Sequence, residues 1–167
     1  MAFDAYLYFV GGPKVEGETT DATFKANKAV TVLSFSFGAS NPVTLGSATG
    51  GGGAGKVNFS DLNVMVAMDT STAQLLQMLS AGGHVDTATL VVRKSGGTVT
   101  AADPFYTVTM TSVFCSSLQI SGGGEQPMVS FSLAYGSITT VYQKQSDKGV
   151  LSTGSGSGWD IQANVAK

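Results

Sequence analysis

Residues 129–135 read VSFSLAY, and this stretch decides the fold class. Its large side chains, Val129, Phe131, Leu133 and Tyr135, alternate with serine and alanine. Successive side chains of a β-strand point to opposite faces, so a period of two predicts a strand with one buried face. An α-helix would repeat its apolar residues every three or four positions instead. The stretch therefore predicts a half-buried strand.

The same alternation appears in two other segments, which we also predict to be strands. In each, aromatic or aliphatic side chains take every second position: Tyr106, Val108 and Met110 in one, and Leu33, Phe35 and Phe37 in the other. Residues 56–68 change phase, since Val57 and Phe59 are out of step with the series from Leu62 to Met68. A slip of one residue reverses the faces of a strand, so we expect a bulge or bend near Asp61.

A single segment, at about residues 71–80, has the pattern of a helix. Ser71 and Gln74 have the spacing of a capping box, and Asp69 places negative charge near the helix start. An apolar stripe follows, with Met78 beside it: Leu75, Leu76 and Leu79. Two glycines at 82–83 predict the end of the helix, because glycine adopts the left-handed conformation at low cost.

These elements predict a mainly β protein, a β-barrel or a sandwich of two sheets with one short helix. Glycine-rich breaks separate the strands, and residues 94–98 are expected to join a hairpin. An extended loop at about residues 39–55 is too long for an ordinary hairpin. Apolar residues near the end, around Trp159, are expected to return to the body as a final strand. A length of 167 residues fits one domain, 1–167.

Composition excludes several classes of function. The net charge is −2 and no basic run occurs, so a nucleic-acid-binding surface is not expected. No apolar stretch approaches 18 residues, so we expect no membrane insertion. One cysteine and one histidine exclude an internal disulfide and a multi-histidine zinc site, and we expect neither metal nor cofactor. The first ten residues lack the pattern of a signal peptide.

Three motifs could suggest chemistry, but each is better explained by structure. Residues 50–56 match a phosphate-binding loop, yet Val57 stands where a hydroxyl should follow and the next segment reads as a strand. His84 lacks a nucleophile motif and a second histidine, so we interpret it as a surface or structural residue. Cys115 lies in an apolar strand, where it is expected to be a small buried side chain. We therefore expect no catalytic residues and no enzymatic activity.

The order of motifs along the chain resembles a known family. They occur from end to end: MAFDA (1–5), VEGETTD (15–21), VLSFSFG (32–38), GKVNFSDL (55–62), DTSTAQLL (69–76), GH (83–84), ATLVVRK (88–94), VSFSLAYG (129–136), VY (141–142) and GWD (158–160). In this order they are similar to the Hcp family (hemolysin-coregulated protein), the tube subunit of bacterial type VI secretion systems.

The resemblance implies a compact β-barrel with one short helix. It further implies a homo-hexameric ring, rings stacked into a hollow tube inside a contractile sheath, and a VgrG-type spike at the tip. Such a protein would be made in the cytoplasm without a signal peptide and secreted through the type VI apparatus. Small effectors could be carried in the tube lumen.

Within this interpretation the long loop at 39–55 has a specific role. By analogy with the family it would reach onto the neighbouring subunit, through residues that include Pro42, Val43, Thr44, Leu45, Gly50 and Gly53. A lumen needs side chains that let cargo slide, and strand faces rich in serine and threonine are candidates for its lining: Thr107, Thr109 and Thr111.

Other functions are open to the sequence alone. The chain could be the tail-tube protein of another contractile, phage-like injection system. It could also be a monomeric β-sandwich carbohydrate-binding module that stacks sugars on Trp159 and exposed tyrosines. A hydrolase with His84 as its base is a third alternative.

Overall fold

The computed structural model of the protein describes residues 3–46, 53–94, 104–144, 151–152 and 154–167. Within these residues the elements in chain order are β1 (Phe3–Val10), β2 (Val30–Ser36), β3 (Ala39–Ser40), β4 (Val43–Thr44), β5 (Gly53–Ala54), β6 (Asn58–Phe59), β7 (Leu62–Ala67), α1 (Thr70–Ala81), β8 (His84–Lys94), β9 (Tyr106–Ser121), β10 (Met128–Tyr142), β11 (Ser155–Asp160) and β12 (Val165–Ala166). The prediction of a mainly β protein with one short helix is confirmed.

Six antiparallel strands close into a barrel. Their order is β10-β7-β2-β1-β8-β9, and β9 pairs again with β10 to complete the ring. Closure removes the open edges that such a sheet would otherwise expose. The second half of β10 also pairs with β11, which in turn pairs with β12, so the sheet continues beyond the barrel. The predicted return of the segment around Trp159 as a final strand is confirmed.

The barrel interior is filled by the side chains that the period of two assigns to one face. On β10 these are Val129, Phe131 and Leu133, each almost completely buried. Val108 and Met110 of β9 belong to the same buried cluster. The strand predictions for residues 129–135 and 106–110 are therefore correct in both position and phase.

The predicted phase of β2 is wrong at Leu33. Val30 and Val32 are buried, whereas the side chain of Leu33 is 52% exposed. The reason is a bulge: Val32 pairs with Val66 and Ser34 with Met65, so Leu33 is an extra residue without a partner on β7. After the bulge Phe35 is partly buried and packs against the core, as predicted.

The phase change within residues 56–68 corresponds to a break between two strands. β6 ends at Phe59 and β7 begins at Leu62, with Ser60 and Asp61 between them. Leu62, Val64 and Val66 point into the barrel. Met68, predicted to continue this series, is exposed because β7 ends one residue earlier.

The helix is one residue longer at each end than predicted, and its capping differs from the prediction. Asp69 is itself the N-cap: its side chain accepts a hydrogen bond from Ser71 N–H at 2.9 Å, and Thr72 completes the capping box. Gln74 instead accepts a hydrogen bond from the backbone of Glu16 at 2.6 Å. Gly82 has a left-handed φ of 65° and ends the helix, as predicted.

Helix α1 inserts one side into the barrel core. Leu75 and Met78 are buried there and Leu79 packs against it, whereas Leu76 is 46% exposed, so its place in the predicted stripe is wrong. Residues 75 and 76 are about 100° apart around a helix, and only one can face the core. The helix of the described residues is too short and too polar to span a membrane.

We expect Asp69→Ala to lower the free energy of unfolding by about 1 kcal/mol, because it removes the side-chain cap of α1. The same carboxylate accepts a hydrogen bond from Glu18 N–H at 3.3 Å, so the segment around Glu18 should loosen as well. Urea unfolding followed by circular dichroism would measure the loss. Asp69→Asn keeps an acceptor oxygen and serves as the control; an equal loss in both variants would contradict the capping explanation.

A strap formed by residues 15–29 covers part of the outer face of the barrel. Phe24 of the strap stacks on Tyr6 of β1, with ring centroids 4.7 Å apart. Asp21 of the strap forms an ion pair with Arg93 of β8, whose guanidinium also lies over both rings. The strap thus forms a second, smaller core on the outside of β1 and β8.

Candidate functional site

In its described residues the predicted extended loop is a two-stranded arm, here defined as residues 39–46 and 53–59. β3 pairs with β6 and β4 pairs with β5, both antiparallel. Gly55 N–H donates a hydrogen bond to the Pro42 carbonyl at 2.9 Å. A Cβ at Gly55 would lie 2.6 Å from Pro42 Cγ, so glycine is required for this close approach.

The arm is attached to the barrel at a defined root. The Ser60 hydroxyl accepts a hydrogen bond from Gly38 N–H at 2.8 Å, and Ser60 N–H donates to the Gly38 carbonyl at 2.9 Å. Tyr135 of β10 donates to the Ser60 carbonyl at 2.8 Å, and its ring meets Phe59 edge to face. Burial raises the pKa of Tyr135 to about 12, so this phenol remains a donor at physiological pH.

Beyond its root the arm is exposed. Every described residue of 39–46 and 53–56 is exposed. Leu45 is 82% exposed and Val43 is 54% exposed. An isolated two-stranded hairpin is only marginally stable in water. An arm that presents valine and leucine to solvent is therefore expected to gain stability by packing against another surface.

The residues predicted to contact a neighbouring subunit lie on this arm. Pro42, Val43, Thr44, Leu45 and Gly53 belong to β4, β5 or the backbone next to them. Gly50 lies outside the described residues. Sequence reasoning placed the loop but missed its pairing, because strands of two residues are too short to show an alternating pattern.

A second candidate surface is an uncharged face of the barrel. Outward-pointing residues of β2, β7, β9 and β10 line a groove of about 420 Å³: Ser34, Ser36, Asn63, Met65, Ser117, Gln119, Ser130 and Ser132. Ser132 donates to Asn63 Oδ1 at 2.6 Å, and Ser117 donates to Ser132 at 3.0 Å. The face offers hydroxyl and amide groups without a formal charge.

The predicted lumen residues lie farther along β9. Thr107, Thr109 and Thr111 all point away from the core and are partly exposed. Thr111 and Ser137 hydroxyls are 2.6 Å apart, so Thr111 is partly engaged within the protein. That Thr107, Thr109 and Thr111 line a lumen stays a prediction.

The residues that could suggest catalysis are not brought together. His84 begins β8, is exposed and packs its ring on Phe114 at 5.1 Å. Burial raises the pKa of the Cys115 thiol to about 11, so it is neutral and unreactive at neutral pH.

Of the phosphate-loop motif, residues 50–52 lie outside the described residues, and strand β5 rather than a helix begins at Gly53. The described residues contain no group of three metal-binding side chains.

Trp159 does not form an exposed platform for sugars. Its side chain is partly buried beneath the root of the arm, and its indole nitrogen is buried without a hydrogen-bond acceptor among the described residues. Stacking on a sugar requires an accessible ring face, so this position does not favour the carbohydrate-binding alternative.

The chain is similar to a known family over most of its length. The profile of the family described as "Type VI secretion system effector, Hcp" matches residues 6–142. The curated Protein hcp1 of Pseudomonas aeruginosa is 34% identical over 113 residues, which cover 66% of this chain and 68% of the relative.

Solved structures give the same result. A type six secretion system protein superposes with a TM-score of 0.87 at 31% identity and covers 99% of this chain and 100% of its own. Hcp1 from Salmonella typhimurium has the same fold, with a TM-score of 0.76 at 22% identity over the whole of both chains. Since the family profile spans most of the chain and the curated relative exceeds 30% identity, this protein belongs to the Hcp family of type VI secretion systems.

Proposed function

We propose that the protein is the building block of a type VI secretion tube, in which six copies close into a ring and rings stack around a hollow lumen. Family membership supports this function. Within this chain, the exposed arm is the feature that best supports contacts between copies. A ring of identical subunits needs a contact between two different surfaces of neighbouring copies. An arm that extends from the barrel and presents Val43 and Leu45 is suited to such a contact.

The wider role follows from the tube. We propose that it is expelled from the cytoplasm inside a contractile sheath, with a VgrG-type spike ahead of it and small effectors in its lumen. A charge-free face such as the groove across β2, β7, β9 and β10 suits transient contact with cargo, because it offers hydrogen bonds without strong ion pairing. The function is mechanical and requires no catalytic residues, in keeping with the separation of His84 and Cys115 from any reactive partner among the described residues.

The decisive experiment is the mass of the purified protein in solution. Six chains of 17.0 kDa give about 102 kDa, so light scattering should report this value and negative-stain images of the same peak should show rings. A protein that is monomeric at all concentrations would contradict the proposal and favour the alternative of a monomeric carbohydrate-binding module.

We expect deletion of residues 46–53 to weaken ring formation while leaving the barrel folded, because among the described residues of the arm only Phe59, which lies outside the deletion, packs against the core. Leu45→Asp is the corresponding point variant and should raise the concentration needed for half-assembly on the order of tenfold or more, since it places a charge in an apolar contact. Size-exclusion chromatography with light scattering measures both.

The matched control is Leu76→Asp, the same change at an exposed leucine on α1. It should leave the ring intact and thereby separate a local effect of the arm from a general effect of added charge. Rings of unchanged stability in both arm variants would exclude the arm from the interface.

A further inference from the structure

A groove between the root of the arm and the C-terminal strands has an unusual set of side chains. Its volume is about 390 Å³, within the range of roughly 300–1,000 Å³ typical of binding pockets. The polar groups around it are Asn41 and Lys56 of the arm, and Ser157, Trp159 and Asn164 of the C-terminal segment. We call this the donor groove. Among the described residues, no carboxylate side chain lines it.

The donors of this groove are unused. Within the described part of the chain, the side chains of Asn41, Lys56 and Asn164 form no hydrogen bond or ion pair, and the buried Trp159 indole N–H has no acceptor. Asp160, which follows Trp159, is engaged elsewhere and accepts a hydrogen bond from Ala163 N–H at 2.8 Å. A free ammonium and two free amide groups, with no carboxylate side chain among the described lining residues, make the site complementary to a carboxylate.

An exposed carboxylate that could bind to this groove lies elsewhere on the same molecule. Residues 122–127 connect β9 to β10 and form an exposed tip that carries Glu125. Glu125 has no hydrogen bond or ion pair among the described residues. Three glycines at 122–124 have open space around them, so the tip is slim enough to enter a groove.

The tip and the groove are too far apart to meet within one chain. The tip precedes Met128, whereas the groove lies beside Ile138, the partner of Trp159. Ten residues of strand separate these positions, about 33 Å at about 3.3 Å per residue. Two complementary surfaces at distant places on one protein produce a head-to-tail contact between copies.

We propose that the donor groove of one copy binds Glu125 of a second copy, so that its carboxylate pairs with Lys56 and with the amide groups of Asn41 and Asn164. This contact rests on the proposed tube function and adds to it a specific, charge-dependent link between subunits. Other exposed acids fit less well: the carboxylate of Asp86 lies against the backbone of Gly11 rather than on a projecting tip.

Charge reversal tests the contact directly. We expect Glu125→Lys alone and Lys56→Glu alone to weaken assembly on the order of tenfold or more, since each places like charges together. An equimolar mixture of the two variants restores both pairings, as does the double variant Lys56→Glu/Glu125→Lys. Light scattering and negative staining over a range of concentrations measure assembly. Both sites are exposed, so thermal unfolding of each variant should match that of the unmodified protein.

Two controls of the same charge change lie away from the tip and the groove. Asp86→Lys and Lys25→Glu alter exposed residues and should leave assembly unchanged. The emission of Trp159, the single tryptophan, gives a local readout: it should shift when the unmodified protein or the rescued mixture assembles, and not in either single variant.

The outcomes separate this contact from the proposed function. Rings and tubes that form equally well in both single variants, or variants that the mixture does not rescue, would overturn the contact while leaving the tube function intact. Charge-dependent association without closed rings would support the contact and contradict the ring. A protein that stays monomeric under all conditions would contradict both.

Discussion

Phe131→Ala is expected to lower the free energy of unfolding by about 4 kcal/mol, because it removes the largest fully buried side chain of the barrel. Phe131 lies on β10, the strand that pairs with both β7 and β9 and so closes the barrel. A cavity at this position removes contacts from several strands at once. Since single domains are stable by only about 5–15 kcal/mol, this loss is a large part of the free energy of unfolding.

Urea unfolding at 25 °C, monitored by circular dichroism, gives the measurement. Phe114→Ala is the matched control, since Phe114 lies on the neighbouring strand β9 but is largely exposed and contacts His84. We expect its loss to be under about 1 kcal/mol, as at most surface positions. Equal losses in the two variants would contradict the assignment of Phe131 to the closed core.

Arg93→Ala is expected to cost about 2 kcal/mol, because it removes the charged hydrogen-bond partner of the partly buried Asp21, which keeps its hydrogen bonds from Thr23 and Phe24 N–H. Burial alone would raise the pKa of Asp21, but hydrogen bonds from Thr23 and Phe24 N–H and the Arg93 guanidinium outweigh it, so the pKa is lowered. The variant also removes the cation stacked over Tyr6 and Phe24. We therefore expect the strap to detach before the barrel unfolds.

Hydrogen exchange should detect this order, with amides of residues 15–29 losing protection in the variant while those of β10 retain it. Arg93→Lys keeps the charge but loses the planar guanidinium, so its loss should be intermediate. Unchanged protection of the strap in Arg93→Ala would exclude the ion pair as its fastening.

The same ion pair predicts a dependence on pH. Because the folded-state pKa of Asp21 is lowered below its ordinary 3.8, its ionised form stabilises the fold. This stabilisation is complete at neutral pH and is lost from about pH 5 downward, as Asp21 is protonated in the folded protein. Asp21→Asn should therefore be less stable than the unmodified protein at pH 7, and the difference should shrink at pH 3. Glu16, whose pKa is lowered by its hydrogen bond to Lys28, is present in both proteins and cancels.

Local patterns predict local elements here because a strand or helix with one buried face must repeat with its own period. Residues 129–135 and 106–110 predict their strands with the correct phase, and the glycines at 82–83 predict the helix end. The predictions fail at Leu33, Leu76 and Met68, where a bulge, the direction of a helix face and the end of a strand decide exposure. Each depends on which residues lie opposite, and a single segment does not contain that information.

The proposed sites also combine features that a local sequence pattern predicts with features that depend on contacts between distant residues. Length alone indicated a long loop at 39–55, but its pairing as an arm depends on contacts between β3 and β6 and between β4 and β5. The donor groove joins Asn41 and Lys56 to residues more than one hundred positions later, and no sequence motif links them. Asp21 and Arg93 are likewise 72 positions apart.

The sequence by itself determined the class of fold, the position of the helix and the family resemblance. These follow from periodicity, composition and motif order, which are properties of the chain. Only the tertiary structure decided that six strands close into a barrel, that the strap is pinned by Asp21 and Arg93, and that the arm stands exposed over a groove of unused donors. These depend on register and barrel closure, which bring distant residues together once the whole core is packed.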